Sequence, residues 1–397
     1  LSYVIFKRGL MVPHIAAGIN LNLPVVGQLM RGAGAYFIRR SFNGNALYTS
    51  VFKEYIHSLL SRNTPLEYFI EGGRSRTGLL LQPKKGMLAM TIQSHLRGNS
   101  KPIAFIPTYF GYEKLIEGSS YIKELGGQKK QSESLFGLLK SLQKIEKVFG
   151  VVHVNFAEPV FLEPILAQHA APQQLDSHED VPESVKHSIN AVAQQIMQNI
   201  NKAVVINPVD LLALVLLNAP TFELAEREVL QRLEQYRHYL QHQQYDARMK
   251  IIQLSNIEII QYCIKLKQVE FIEHDNERWV KVCDHQVGLL KYFSNNILHT
   301  FILPACVAAL LKAEKNMTLT DLSTQFNLSY PALAQQFFLK WDDNQAQQQL
   351  DAILDYFVEQ QLVQIQDKHI TVNTADDQYR RLSTLAHLYE VNAVEAS

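Results

Sequence analysis

Residues 67–78 read EYFIEGGRSRTG, an apolar, β-favouring run that enters two glycines and then two arginines two positions apart. Glycine lets the backbone turn sharply and approach a ligand closely, and arginine offers a planar, permanently charged fork that suits phosphate. The Gly-x4-Gly spacing is typical of a nucleotide-binding P-loop, but Leu79 and Leu80 follow where that loop needs Lys and Ser or Thr. We therefore predict an anion-binding strand end, with an exposed turn carrying two surface arginines as the alternative.

Short apolar runs around this stretch alternate with helical patterns. Strands are predicted at 14–19, 34–39, 66–70, 102–109 and 151–156, and helices at 45–62 (capped by Asn45), 86–97 and 183–202. This alternation predicts an α/β fold, a mixed sheet flanked by helices. Residues 161–182 are rich in Pro, Gln, His and acid, and are predicted to be a loop.

Basic side chains follow two of the predicted strands. Arg39 and Arg40 end one strand, and Arg74 and Arg76 follow another, with Lys84-Lys85 further on. Because ligands of open α/β sheets bind beyond the carboxyl ends of strands, we expect these groups to converge on one anionic substrate.

A proline and a glutamate complete this predicted pocket. Pro107 fixes a turn at a third strand end and would shape the pocket wall. Glu71 lies in the most basic neighbourhood of the chain, where it would either pair with an arginine or accept a hydrogen bond from a substrate hydroxyl.

Charge is distributed unevenly over the 397 residues, although the formal net charge is zero. Residues 1–115 contain fourteen Lys and Arg but four Glu and no Asp. This excess indicates an anionic partner: a phosphorylated metabolite, a nucleic acid or an anionic membrane.

The three cysteines have no paired spacing, so we predict neither a disulfide framework nor a metal site. This pattern is typical of a protein in a reducing cytoplasm. No uncharged apolar run is long enough to predict a transmembrane helix.

The C-terminal part has a different pattern. From about residue 205 long helices are predicted, including 223–243 and 297–315, and we divide the chain into domains 1–204, 205–315 and 316–397. The last part is predicted as helices 318–326, 330–341 and 344–361 followed by a hairpin at 362–372, the order of a winged helix. Seven acidic residues against two lysines in 316–372 argue against nucleic-acid binding, so a structural or docking module is favoured.

Several ordered blocks resemble those of the bacterial glycerol-3-phosphate 1-O-acyltransferase family, within the glycerolipid acyltransferases that carry a His-x4-Asp motif. The blocks are GAYFIRR (34–40), YFIEGGRSRTG (68–78), IPTYFGYE (106–113) and VNFAEP (154–159), with PHIAAGINLN (13–22) before them and NNILHTFILP (295–304) after them. The resemblance implies acyl transfer from acyl-CoA or acyl carrier protein to the sn-1 hydroxyl of glycerol 3-phosphate, without a further cofactor. It also implies a peripheral protein on the cytoplasmic side of the bacterial inner membrane, in contact with anionic lipid.

The resemblance also implies roles for individual residues. Its substrate-binding blocks fall on Phe37, Ile38, Arg39, Arg40, Glu71, Gly72, Gly73, Arg74, Ser75, Arg76 and Pro107. In the family, the His of His-x4-Asp takes the proton from the substrate hydroxyl and the Asp orients it.

The sequence departs from the family pattern at this dyad, because none of the 14 histidines has Asp five positions further along the chain. We expect the dyad to lie upstream of Leu1, and the chain to be inactive alone. The alternative is a catalytically dead anion-binding or membrane-docking module.

Overall fold

The computed structural model describes residues 1–39, 42, 44–98, 101–115, 150–170, 174–175, 181–217, 219 and 221–393. The helices among them are α1 (Ser2–Lys7), α2 (Val26–Gly32), α3 (Ala46–Ser61), α4 (Gly86–Leu96), α5 (Leu162–Gln168), α6 (Glu183–Lys202), α7 (Pro208–Leu217), α8 (Glu226–His242), α9 (Asn256–Lys265), α10 (Val287–Ile297), α11 (Ile302–Ala313), α12 (Leu319–Phe337), α13 (Asp343–Glu359) and α14 (Asp376–Ala393). The strands are β1 (His14–Gly18), β2 (Ala35–Ile38), β3 (Leu66–Glu67), β4 (Ala104–Phe105), β5 (Thr108–Tyr112), β6 (Val152–Phe156), β7 (Val160–Phe161), β8 (Val205–Ile206), β9 (Glu223–Ala225), β10 (Lys250–Ile251), β11 (Val269–His274), β12 (Glu277–Val282), β13 (Asn316–Thr318), β14 (Val363–Gln366) and β15 (His369–Val372).

The described residues form two compact units. The first comprises Leu1–Arg74, Leu81–Pro107 and Glu158–Asn199, and the second comprises Ser75–Leu80, Thr108–Ala157 and Ile200–Ser397, each with the gaps given above. The predicted α/β class followed by a mainly helical region is confirmed. The strands form several small sheets, with both parallel and antiparallel pairs.

The first unit is built on a parallel sheet in the order β2-β1-β3. Gly18 of β1 lies opposite Ile38 of β2, and Ile15 lies opposite Glu67 of β3. Helix α3 covers this sheet with Phe52 and Ile56, which are buried against Tyr36. Because all three strands run the same way, the chain leaves β2 and β3 at one edge.

The second unit has its core around α7, an almost wholly buried helix. A helix that is apolar on every side is stable only when other elements cover all of it, and α8, α9 and α10 pack against it. Asn207 sets its start, because its Oδ1 accepts hydrogen bonds from the backbone N–H groups of Val209 and Asp210. The antiparallel sheet β11-β12-β9 adjoins this helical core.

The C-terminal elements confirm the winged-helix-like order with different helices from those predicted. The order is α11, β13, α12, α13, β14 and β15, and the strands form a sheet in the order β13-β15-β14. Two predicted helices at 318–326 and 330–341 are one helix, α12, which contains Pro331. Phe326, Tyr330, Leu333 and Phe337 form one continuous buried stripe, whose burial outweighs the backbone hydrogen bond that proline removes.

Other boundaries also differ from the sequence prediction. The predicted strand 102–109 is two strands, β4 and β5, because Pro107 between them has no N–H to donate to a sheet. The predicted helix 297–315 begins at Ile302, which places Pro304 in the first turn, where its missing N–H costs nothing.

Two further segments were assigned too simply from their composition. Part of the predicted loop 161–182 is helix α5, in which Leu162, Ile165 and Leu166 are buried. The first three residues of the predicted helix 223–243 form strand β9, which pairs with β12.

Among the described residues no single helix is long and apolar enough to cross a membrane. The segments Asp284–Thr300 and Ile302–Ala313 reach that length and apolarity together, but they are bent by 88°.

Candidate functional site

The candidate site lies at the carboxyl edge of the β2-β1-β3 sheet in the first unit. Parallel strands bring their carboxyl ends to the same edge, where α/β proteins bind ligands. Arg39 follows Ile38 directly at the end of β2, and the Glu71–Arg74 segment follows β3 after a short non-strand link. The structure therefore places these two predicted groups after β2 and β3, which lie on either side of β1 in one sheet.

Arg39 is positioned by Tyr48, from the first turn of α3. The guanidinium carbon of Arg39 lies 4.7 Å from the centroid of the Tyr48 ring, and the Arg39 backbone N–H donates to the Tyr48 hydroxyl at 3.2 Å. Asn45 caps the same helix through a 2.9 Å hydrogen bond from the Tyr48 N–H, as predicted. A cation held over an aromatic face loses little freedom when it binds an anion.

The two residues before Arg39 face different surroundings. Phe37 lies under Arg31, whose guanidinium carbon is 5.1 Å from the ring centroid. Ile38 packs against the cluster of Tyr36, Phe52 and Ile56. Ile38 thus supports the sheet edge, and Phe37 brings a second arginine to β2.

Glu71 closes the loop that carries the glycines and arginines. Its Oε2 accepts a hydrogen bond from the backbone N–H of Leu81 at 2.7 Å. Burial raises the pKa of Glu71 above its usual value, although the Leu81 N–H opposes that rise. Besides the two roles considered from the sequence, Glu71 therefore has a structural role as a loop clasp.

The two glycines after Glu71 differ in their surroundings. Gly72 has φ +60°, and a Cβ there would lie 2.8 Å from the side chain of Lys84. Lys84 also ties its backbone N–H to the Ile70 carbonyl at 2.8 Å. A Cβ on Gly73 would meet no atom within 4 Å, so the backbone at Gly73 is open to approach. Gly72 serves the turn and Gly73 leaves room for a ligand.

The next residues, Ser75–Leu80, belong to the second unit. Ser75 Oγ accepts the N–H of Gly78 at 3.0 Å, and Asn295 of α10 donates to the Thr77 carbonyl at 2.9 Å. A Cβ on Gly78, which has φ +86°, would lie 2.0 Å from the Tyr292 carbonyl oxygen. Gly78 is thus required by close packing against α10, which explains the second glycine of the spacing without a nucleotide.

The remaining predicted site residues are placed as follows. Arg74 is exposed in the first unit, whereas Arg76 lies in the second. Pro107 is buried at the end of the first unit, between β4 and β5. Arg40 lies outside the described residues. The assignment of all these residues to substrate remains a prediction.

Two of the blocks quoted from the sequence hold the second unit together. Glu113, 2% exposed, accepts hydrogen bonds from the Val151 N–H, from His153 and from the Tyr262 hydroxyl. Burial favours a higher pKa for Glu113, but these hydrogen bonds outweigh it and hold the pKa below its usual range. Asn155 donates to the carbonyl of Ala203. Glu113 and Asn155 are therefore structural anchors within the second unit.

Sequence reasoning missed two partners of the site, Tyr48 and the Leu81 N–H, and it named Lys84 without predicting its contact with Gly72. Tyr48 lies three residues after the predicted cap Asn45, so helix geometry signals its place in the first turn but not its contact with Arg39. The contacts of the Leu81 N–H and of the Lys84 side chain have no sequence signal, because they arise from how the loop closes.

Comparison with known proteins gives consistent results over most of the chain. Residues 121–393 match the family model described as glycerol-3-phosphate acyltransferase C-terminal region, and residues 1–111 match the model described as acyltransferase. The chain is similar to curated proteins named glycerol-3-phosphate acyltransferase: 40% identical over 366 residues to one from Xanthomonas campestris pv. campestris, covering 91% of this chain and 41% of that protein. It is 38% identical over 371 residues to one from Pseudomonas fluorescens, covering 92% and 44%, and 39% identical over 396 residues to one from Xylella fastidiosa, covering 98% and 46%. The chain thus spans less than half the length of these relatives.

Proposed function

We propose that the chain carries the glycerol 3-phosphate site of an acyltransferase, because it belongs to the glycerol-3-phosphate acyltransferase family. The resemblance read from its sequence blocks is thereby confirmed at the level of the family. The substrate, the donor and the position acylated are proposals for this chain.

The proposed reaction joins the sn-1 hydroxyl of glycerol 3-phosphate to the acyl group of acyl-CoA or acyl carrier protein. The hydroxyl oxygen forms a bond to the thioester carbonyl carbon, and the carbon–sulfur bond breaks. A general base takes the hydroxyl proton, and the thiolate leaves and is protonated. The product, lysophosphatidic acid, would serve phospholipid synthesis.

The observation that carries this proposal is the arrangement at the sheet edge of the first unit. Arg39, held over Tyr48, follows β2, and Gly73 and Arg74 follow β3 beside the clasp formed by Glu71. Arginine forks bind phosphate oxygens by charge-assisted hydrogen bonds, and an unobstructed glycine lets the backbone approach them.

The chain supplies binding groups but no His-x4-Asp pair among its 14 histidines. We therefore propose that it binds glycerol 3-phosphate and, alone, transfers acyl groups negligibly. An anion-binding module without catalysis is the second candidate, which the missing pair favours. Robust acyl transfer by this chain would contradict both the placement of the base and this second candidate.

Calorimetric titration of the chain with glycerol 3-phosphate tests the binding site. Arg39→Ala and Arg40→Ala are each expected to weaken binding tenfold or more, because a charge-assisted contact contributes about 1.5–3 kcal/mol. Arg97→Ala is the matched control, since Arg97 pairs with Glu54 at 2.7 Å and lies outside the predicted blocks. Glycerol, which lacks the phosphate, should not bind measurably. Equal affinities for both ligands would move the phosphate site away from these arginines.

We also propose that the first unit contacts an anionic lipid surface, peripherally, at the cytoplasmic face of the bacterial inner membrane. Large apolar side chains are exposed there, within the strongly basic part of the sequence, including Val25 just before α2, Leu29 of α2, and Leu47 and Val51 of α3. Apolar side chains that enter the lipid interface, together with nearby Lys and Arg, favour anionic membranes.

Sedimentation with vesicles tests this contact. We expect the chain to bind vesicles containing phosphatidylglycerol and to bind phosphatidylcholine vesicles poorly. Leu47→Glu should reduce binding, whereas Leu328→Glu should not, because Leu328 is equally exposed but belongs to α12 of the second unit. Equal loss with both variants would contradict docking through the first unit.

A further inference from the structure

An open cleft of about 450 Å³ lies in the first unit, and none of the described residues that line it is an arginine. One wall is the segment 82–85, which begins directly after Leu81, and the opposite wall is α6. Its polar lining consists of Gln82, Lys85, His169, His187, Asn190 and Gln194.

The lining on α6 comes from one helix face. His187, Asn190 and Gln194 are three and four positions apart, the spacing that aligns side chains along a helix. His169, which follows α5, brings its ring centroid to 6.3 Å from that of His187. Three separate segments of the chain thus present nitrogen-bearing side chains to one space.

Lys85 is held in place at this cleft. Its Nζ donates to Asn190 Oδ1 at 2.6 Å, which ties the segment 82–85 to α6. Lys84, its neighbour, instead lies against Gly72 in the loop of the candidate glycerol 3-phosphate site. The two adjacent lysines therefore serve different places, although the sequence suggested one common pocket.

The chemistry of the cleft selects an anion. Among the described residues that line it none is acidic, and it contains the amino group of Lys85 and the imidazoles of His169 and His187, all of which can donate N–H groups. The amides of Gln82 and Gln194 offer further N–H donors. The volume is that of sites that take small organic ligands rather than a single ion.

We infer that this cleft binds the phosphate groups of the thioester acyl donor. The inference rests on the proposed function, because an acyltransferase of glycerol 3-phosphate needs a second place for a second phosphorylated substrate. The clasp between Glu71 and Leu81 sets the start of the segment 82–85, so the cleft begins one residue after the loop that is proposed to hold glycerol 3-phosphate. Coenzyme A and acyl carrier protein both present a phosphorylated pantetheine arm, which is their shared chemistry.

Calorimetry with coenzyme A as ligand tests the inference on the whole 397-residue chain. Lys85→Ala and His187→Gln should each weaken coenzyme A binding about tenfold, and both positions are exposed, so the variants should fold as the parent does. Lys186→Ala is the matched control: it removes a neighbouring positive charge on α6 that pairs with Glu183 at 2.6 Å outside the cleft. Its affinity for coenzyme A should remain within twofold of the parent.

Other ligands distinguish the source of the phosphate. Pantetheine, which has no phosphate, should bind at least tenfold more weakly than coenzyme A. If holo acyl carrier protein binds more tightly than coenzyme A and competes with it, the carrier protein is the donor. If coenzyme A binds more tightly, the donor is acyl-CoA. In either case Lys85→Ala must lower the affinity for whichever ligand binds more tightly.

Three results would overturn the inference: no coenzyme A or carrier binding, equal binding of pantetheine, or unchanged affinity in both cleft variants. Glycerol 3-phosphate titrated into the same samples separates this failure from that of the proposed function. The cleft variants should bind glycerol 3-phosphate as the parent does, whereas failure of the parent to bind it would count against the proposed function itself.

Discussion

Glu71 and Leu81 are joined by a 2.7 Å hydrogen bond from the Leu81 backbone N–H to the Glu71 carboxylate, which closes the loop between two residues that are ten positions apart. All the glycines and arginines of the stretch 71–81 lie inside this loop. A buried backbone donor without a partner is unfavourable. The glutamate therefore shapes the loop whether or not it also touches substrate.

Replacing Glu71 tests the clasp. Glu71→Ala leaves the Leu81 N–H without its acceptor, and we expect a loss of about 1–2 kcal/mol in the free energy of unfolding, measured in urea. Glu71→Gln keeps an oxygen acceptor and should retain most of that stability. If Gln destabilises the chain as much as Ala does, the carboxylate charge rather than the hydrogen bond is what matters.

Two glycines of the same loop separate packing from ligand approach. Gly78→Ala should cost at least about 2 kcal/mol, because its Cβ would meet the Tyr292 carbonyl oxygen and because its φ is positive. Gly73→Ala should leave the melting temperature nearly unchanged, since nothing lies within 4 Å. It should nevertheless weaken glycerol 3-phosphate binding. Unchanged binding in Gly73→Ala would show that the ligand does not approach this backbone.

Tyr48 is expected to act as a positioning residue through Arg39. Tyr48→Leu removes the ring under the guanidinium and should reduce glycerol 3-phosphate affinity severalfold, measured by calorimetry. Tyr48→Phe keeps the ring and should retain nearly parental affinity. In an Arg39→Ala background, Tyr48→Leu should have no further effect. An additional loss in that background would mean that Tyr48 acts independently of Arg39.

His299 is expected to make the second unit sensitive to acid. Burial lowers its pKa from 6.5 to about 4, against a weaker opposing effect of the Asn201 carbonyl. The unfolded chain therefore binds the proton first, and stability falls as pH drops from about 6.5 to about 4. The shift corresponds to about 3 kcal/mol of stability, which is fully present above about pH 6.5 and fully lost below about pH 4.

Urea unfolding at pH 7, 5.5 and 4 measures this loss. His299→Gln should be destabilised at pH 7 yet show a smaller fall towards pH 4 than the parent chain. His285→Gln, at an exposed position, is the control and should follow the parent curve. A parental slope in His299→Gln would assign the acid sensitivity to other groups.

Local sequence patterns were sufficient to predict the positions of many helices and strands. Alternation and helical spacing placed β1, β2, α3, α4 and α6 to within a residue or two, and the Asn45 cap was correct. Patterns failed where burial outweighed a local signal, as at Pro331 inside α12. They also failed where one proline divided an apolar run into β4 and β5.

The sequence alone identified the family blocks, the excess of basic residues before position 116 and the glycine-arginine stretch, because these depend only on residue type and short spacing. Tertiary structure determined the partners. In the folded chain, Glu71 accepts a hydrogen bond from Leu81, Lys84 contacts Gly72 whereas Lys85 contacts Asn190, and Asn295 donates to Thr77, which is 218 positions away. Periodicity and capping act over a few residues, whereas the partner of a polar group depends on which distant segment the folded core brings beside it.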